Sequence, residues 1–295
     1  MGCRAAPPPG RPGRRPVVWA RDDLRLHRRG QYGGRDRARG DRGRHRPRLH
    51  LAHQRHDSAA RLAEKTGARH EPDAEALAAA CDVVVLAVKP RVIPAVAARI
   101  FDAVADARPL VVSIAAGIDL ARLESLLPEG ARIVRAMPNM AAGVGQSMTA
   151  LAAGAAAGES NLAAARALMD AVGRTMVIAE EDFPTFVGLA GSSPAFVFTF
   201  IDALARAGVL GGIPKAQAVE IAAQAVLGSA CAVQVEAAAR ANGGAGRTPA
   251  DLVDAVCSPG GTTVAGLVAM ERAGFSNAVI EAVRAVVAAD RELAG

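Results

Sequence analysis

Three short apolar runs limit what this chain can fold into: 82-DVVVLAVKP-90, 109-PLVVSIAAGI-118 and 131-ARIVRAMPN-139. Each reads as a buried strand running into a turn, and helical stretches separate them. A helix is expected over about 91–105 and a shorter one near 119–126. Upstream, 58-SAARLAEKTG-67 reads as a helix closed by Gly67, and 73–81 as another short helical stretch. Strands alternating with helices predict an α/β fold, a Rossmann-like doubly wound parallel sheet. In such sheets the ligand sits beyond the carboxyl ends of the strands. Those ends are Ala87-Val88-Lys89-Pro90, Ala115-Ala116-Gly117 and Met137-Pro138-Asn139. Small residues at two of them let a flat cofactor lie against the backbone. Lys89 has a second reading as a solvated residue at a strand end, and Asn139 as a turn former.

Past residue 152 the pattern turns helical, apart from a short strand at 174-RTMVIA-179. Helices are expected over 158–172, 182–210, 214–241, 248–256, 262–273 and 275–293, with 242-NGGAG-246 as one of the breaks. An α/β half followed by an all-helical half predicts two domains, 57–152 and 153–295. Long Ala-rich helices in the second suit packing between subunits, with core packing inside one chain as the alternative.

The motif with the clearest chemistry is 257-CSPGGTTVAGLVAMERAG-274. A Ser-Pro-Gly-Gly-Thr-Thr turn leads straight into a helix, so backbone N–H groups and the helix dipole point at whatever lies before it. Gly260 and Gly261 let an anion approach the backbone, and Ser258, Thr262 and Thr263 add hydroxyl donors. The residues describe a cradle for a carboxylate or phosphate. An ordinary capped helix start is the other reading, because Ser and Thr are preferred caps. Ser192-Ser193 does not form a nucleophile elbow, and no His or Asp stands in a pattern that would activate it.

These segments together resemble the pyrroline-5-carboxylate reductase family. The motifs AVKP, SIAAGI and RAMPN in this order and spacing are similar to its cofactor half. The stretch 257–274 and 189-LAGSSPAFVFTFIDALARAGVLGGIPKAQA-218 are similar to its helical half. The resemblance covers roughly residues 57–293. It implies NAD(P)H-dependent reduction of 1-pyrroline-5-carboxylate to L-proline, with NADPH or NADH as cofactor and no metal. It also implies an all-helical dimerisation domain and a homodimer or higher homo-oligomer. By resemblance, Lys89 and Asn139 help place the nicotinamide ribose and phosphates, and Ser258, Gly260, Gly261 and Thr263 hold the substrate carboxylate. Thr199 matches a family hydroxyl near the imine and is the candidate proton or hydrogen-bond donor; a mid-helix Thr bonded to its own backbone is the alternative. The chain departs from the family pattern at three places. Met140-Ala141 replaces Thr-Pro, Ser193 replaces Gly, and Arg247-Thr248 replaces a Glu-His pair.

Residues 1–56 are of another character. They hold 16 Arg and 4 Asp, a charge of +12, whereas the remainder holds 19 Lys and Arg against 25 Asp and Glu, a charge of −6. The net +6 therefore joins an acidic body to a basic head. The head contains five of the six histidines, no Ser, and no sustained periodicity, so it is expected to be disordered or poorly folded. A presequence would be Ser-rich and amphipathic. The codons behind it allow a sharper reading. Shifted by one base, Leu26 allows Phe, His27 allows Ile, Gln31 and Tyr32 allow Asn and Met, and Asp36 allows Ile. The segment then reads Phe-Ile-Gly-x-Gly-Asn-Met-x-x-Ala-Ile, the strand–turn–helix of a dinucleotide fingerprint. A frameshifted N-terminal segment is the expectation, and as written the chain lacks that glycine turn.

Composition trims the alternatives. Aromatics make up 3% of the chain, too few for base-stacking platforms, so nucleic acid rests on the arginine head alone. Four scattered cysteines without a CxxC pair argue against zinc or a disulfide framework and for a reducing, cytoplasmic setting. Apolar runs such as 83-VVVLAV-88 fall short of the ~18–20 residues that cross a bilayer, so no membrane partner is expected. A 3-hydroxy-acid reductase of the same architecture would show a catalytic Lys in the second domain. Lys215 is the one lysine there, and Ile-Pro-Lys reads as a helix start. The remaining rivals are a relic without a working nucleotide turn and a basic-arm nucleic-acid binder.

Overall fold

The computed structural model describes residues 16–18, 50–52, 60, 64 and 69–294. Of the helix expected over 58–67, Ala60 and Glu64 are described and are helical. The segment 23–56, for which a frameshift is expected, lies outside the described residues except at 50–52.

The first part is built on β1 (Pro16–Val18), β2 (His50–Ala52), β3 (Arg69–Glu71), α1 (Ala74–Ala79), β4 (Val83–Leu86), α2 (Ile93–Ala107), β5 (Leu110–Ser113) and α3 (Leu120–Leu126). It continues with β6 (Arg132–Met137), β7 (Ser147–Ala153), α4 (Glu159–Met169) and β8 (Gly173–Val177). The strands form one sheet in the order β3-β2-β1-β4-β5-β6-β7-β8. All neighbours are parallel except β6 and β7. The order of the first six is that of a dinucleotide-binding sheet.

Why these residues form these elements is plain at the centre. Val84, Val85 and Leu86 and the whole of β5 are buried, the continuous apolar run of a strand covered on both faces. Helix α2 buries Ile93, Ala97, Ile100 and Val104, one stripe at helical spacing. It ends at Arg108 in the left-handed region (φ 49), just before Pro109, which cannot continue a helix. Leu77, Leu123, Ile133, Leu151 and Phe183 complete the core.

Several expectations change. Within residues 1–56 two three-residue strands are described, and both join the sheet. Strand pairing draws on backbone N–H and C=O groups, which need no side-chain pattern. Strand β7 escaped the sequence reading because Ser-Met-Thr-Ala-Leu-Ala-Ala carries little strand propensity, yet it is buried and antiparallel to β6. Gly173 lets β8 lie beside it, since a Cβ there would run into the Ser147 backbone. With β7, α4 and β8 completing the sheet, the chain divides after Val187 rather than after residue 152. One unit is Met1–Val187 with Ala289–Gly295, and the other is Gly188–Ala288.

The second unit contains α6 (Ser193–Leu210), α7 (Lys215–Ala241), α8 (Pro249–Val256), α9 (Thr262–Arg272) and most of α10 (Phe275–Ala294). The single helix expected over 182–210 is broken into α5 (Phe183–Phe186), a wide π turn at Val187–Gly191, and α6. Pro194, in the first turn of α6, has no N–H to give to the preceding turn, and the Ser193 hydroxyl instead donates to the Leu189 carbonyl at 2.6 Å.

Apolar side chains stay exposed along this unit. Leu210 is 91% exposed, and Phe198, Ile221, Leu227 and Val235 all exceed half. Two helical stretches, Glu180–Leu210 and Lys215–Ala241, are by length and composition long and apolar enough to cross a membrane. Contiguous apolar runs such as 83–88 are short, and these two stretches reach that length through Ala-rich helix instead.

Candidate functional site

In the first unit, three strand ends meet at one edge. Strands β4, β5 and β6 run parallel in register, with Leu86 opposite Ser113 and Ser113 opposite Arg135. The chain therefore leaves all three at the same side, at Ala87–Pro90, Ala115–Gly117 and Met137–Asn139. Ala87, Val88 and Ala115 are buried, and Ile114 extends the ladder by donating its N–H to the Leu86 carbonyl at 3.0 Å. Gly117 is left-handed (φ +70), and the position a Cβ would take there faces open space. Such a turn leaves room for a flat ring, so the residues fit a nicotinamide cofactor.

Lys89 is half-buried and extended, and its carbonyl accepts the Val92 N–H at 2.8 Å as Pro90 opens a short 3-10 turn. Asn139 caps the 3-10 turn Met140–Val144, its side-chain oxygen accepting the Ala141 N–H at 3.1 Å. Its own N–H is donated to the Ser147 hydroxyl at 3.1 Å. The turn-forming role read for Asn139 is thus realised.

A feature the sequence reading missed lies beneath this edge. Arg135, in the middle of β6, is buried, and its guanidinium pairs with Glu180 Oε1 at 2.5 Å. The same oxygen accepts the Leu120 N–H at 3.0 Å, at the start of α3. The guanidinium also stacks on the Phe183 ring, 4.1 Å from its centroid. Arg135 Nε and Glu180 Oε2 are buried without a hydrogen-bond partner. The available signal was a charged residue inside the otherwise apolar run Ile133–Ala136.

In the second unit, the Ser258–Thr263 turn opens α9. Gly260 is left-handed (φ +68), and Gly261 is the N-cap, packed so tightly that a Cβ would collide with the Ser258 hydroxyl. The Gly261 N–H donates to the Ser258 carbonyl at 3.0 Å. No side chain caps the helix, so the reading as an ordinary Ser- or Thr-capped start is not realised. Instead, the first N–H groups of α9 and the exposed Thr262 and Thr263 face solvent at the positive end of the helix dipole.

Thr199 sits mid-way along α6, a separate element from this turn, and its hydroxyl donates to the Ala195 carbonyl at 3.0 Å. Arg247, standing where the family pattern has Glu, is held by Glu236 through its backbone N–H (2.8 Å) and guanidinium (2.6 and 2.8 Å). The bonds from Arg247, its backbone N–H foremost, hold the Glu236 carboxyl below its ordinary range. Thr248 forms a capping box with Asp251 at the start of α8. Lys215 pairs with Asp202 of α6 at 2.5 Å, which ties the start of α7 to α6 and fits a structural lysine.

Known proteins account for both halves. A family described as pyrroline-5-carboxylate reductase dimerisation matches residues 180–293, and one described as NADP oxidoreductase coenzyme F420-dependent matches 46–117. The pyrroline-5-carboxylate reductase of Synechocystis is 42% identical over 225 residues, covering 76% of this chain and 80% of that protein. That of Escherichia coli is 41% identical over 226 residues, covering 77% and 80%. Among solved structures, a Coxiella burnetii pyrroline-5-carboxylate reductase superposes with a TM-score of 0.77 at 30% identity, covering 84% of this chain and 88% of that one. The Streptococcus pyogenes enzyme gives 0.72 at 36%, covering 83% and 90%. Identity of this order over four fifths of the relatives' own length goes beyond a shared fold, and it makes the chain a member of the pyrroline-5-carboxylate reductase family.

Proposed function

We propose that the chain reduces 1-pyrroline-5-carboxylate to L-proline, with NADPH or NADH as reductant, and does so as a homodimer or higher homo-oligomer in the cytoplasm. NAD(P)H, when bound, supplies the hydride that C4 of the nicotinamide gives to the imine carbon C5, while N1 gains a proton. Ala87–Pro90, Ala115–Gly117 and Met137–Asn139 hold the cofactor against backbone, and Lys89 and Asn139 orient its ribose and phosphates. The Ser258, Gly260, Gly261, Thr262 and Thr263 turn holds the substrate carboxylate with N–H and O–H donors. The observation that carries this reading is the uncapped N-terminus of α9 behind a two-glycine turn, in a chain this similar to named reductases. Anchoring one end of the substrate fixes the imine for transfer, an orientational contribution.

Thr199 is the residue proposed to serve the imine nitrogen. Rotation about its Cα–Cβ bond frees the hydroxyl from Ala195 and lets it donate to substrate. Subunit association is supported by the match to a dimerisation family over 180–293 and by the exposed apolar side chains of α6 and α7. The cytoplasmic placement is supported by the spacing of the four cysteines, which suits a reducing compartment.

The test is oxidation of NADPH and of NADH by the full chain on addition of pyrroline-5-carboxylate, with proline measured as product. Proline formed in step with cofactor oxidation supports the reading. A chain that makes none, both as written and with the shifted reading restored over residues 23–56, overturns it.

A further inference from the structure

Buried ion pairs add little stability over an apolar pair of the same volume, because both charges lose their water. Arg135 is buried while the Glu180 side chain stays 30% exposed, so the charge inside β6 calls for another reason, and its contacts supply one. Its side chain is 7% exposed and reaches Glu180 Oε1 at 2.5 Å, and that oxygen also takes the N–H of Leu120 at 3.0 Å. Met137 lies two residues beyond Arg135, and Gly117 lies three residues before Leu120. One carboxylate oxygen therefore binds the strand that leads into Met137–Asn139 and the helix that follows Ala115–Gly117. The ring of Phe183, fully buried, lies under the guanidinium, with Cζ 4.1 Å from its centroid. The pair also lines a cavity of about 370 Å³ together with Gly117, the last residue of the second strand end.

We propose that Arg135 and Glu180 are positioning residues, an ionic latch that fixes the separation of the Ala115–Gly117 and Met137–Asn139 loops. A methionine or leucine pair could fill the same volume, but it could not bind the Leu120 amide and β6 at a single point. With the latch intact the two loops move together; with either partner removed, each follows its own element. The expected effect on the cofactor rests on the function proposed above, whereas the coupling of the loops does not.

Hydrogen–deuterium exchange on the full chain tests the latch without needing turnover. Arg135→Met and Glu180→Met are each expected to speed exchange at 115–120 and 137–142 at least about tenfold, while β4 and α2 exchange as before. The double variant is expected to be no faster than either single one. Where the original chain turns over, both variants raise KM for NAD(P)H several-fold and leave KM for the imine unchanged. Arg135→Lys, which keeps the charge and loses the guanidinium's contact with the Phe183 ring, falls between. Exchange that rises evenly across the unit would mean the pair is merely structural and would overturn the latch, as would unchanged exchange at the two loops. Should Arg135→Met fail to fold, Glu180→Met still decides, since it keeps the volume of the side chain and removes both acceptor oxygens. Failure of the original chain to oxidise NAD(P)H would count against the proposed function and leave the exchange result decisive for the latch.

Discussion

At Gly260 the backbone sits at φ +68, where any Cβ meets the carbonyl that follows it. Gly260→Ala is expected to cost about 1–2 kcal/mol of local strain and to swing the Ser258–Thr263 donors out of line. Steady-state kinetics should show KM for pyrroline-5-carboxylate rising about tenfold, with KM for NAD(P)H unchanged. Thr199→Val keeps the shape of the side chain and removes the hydroxyl. If that hydroxyl serves the imine, kcat falls by about 10²-fold or more with little change in KM; a fall below threefold assigns Thr199 to its bond with Ala195 alone. The glycine turn was legible in the sequence because Pro-Gly-Gly-Thr-Thr before a helix leaves the backbone few alternatives. Arg135 was not, because a single charge in an apolar run says nothing of its partner. Glu180 is 45 residues away in sequence and meets it only once the sheet has formed.

Helices α6, α7 and α8 carry their charges in local pairs, and this sets how the helical unit responds to acid. The Lys215 ammonium holds the Asp202 carboxyl below its ordinary value, chiefly by a hydrogen bond. The backbone N–H of Arg247 does the same for Glu236, and that of Thr248 for Asp251. A carboxyl whose folded pKa is depressed contributes stability above its unfolded pKa and loses it as pH falls through the folded value. Circular-dichroism melts should therefore give a Tm that is level from neutral pH down to about 4 and falls below it. Asp202→Asn should flatten part of that fall while lowering Tm at neutral pH. The elements themselves were largely legible, since buried β4, β5 and β6 read directly as apolar runs. Strand β7 hid because its alanines favour helix when read locally, and pairing with β6 decided the matter. The break at Val187–Gly191 could have been read from Pro194, whose missing N–H falls within an otherwise unbroken apolar helix.

Taken whole, the molecule has one unit with its own core and another whose buried set among the described residues is small, Ala205, Ala218 and Ala222 among them. A helical unit so open needs a second surface to cover it. Leu227→Glu on α7, a site 56% exposed, should place a charge on that covered face. It is expected to weaken self-association at least about 100-fold, read as a fall in mass by light scattering. The unit boundary was not legible in the sequence, because the onset of helix after residue 152 coincides with a strand pair that still belongs to the sheet. The return of Ala289–Gly295 to the first unit makes Gly188–Ala288 an insertion between two stretches of that unit. A single cut by a protease in the exposed 242–245 stretch would therefore leave each fragment holding a segment of the first unit.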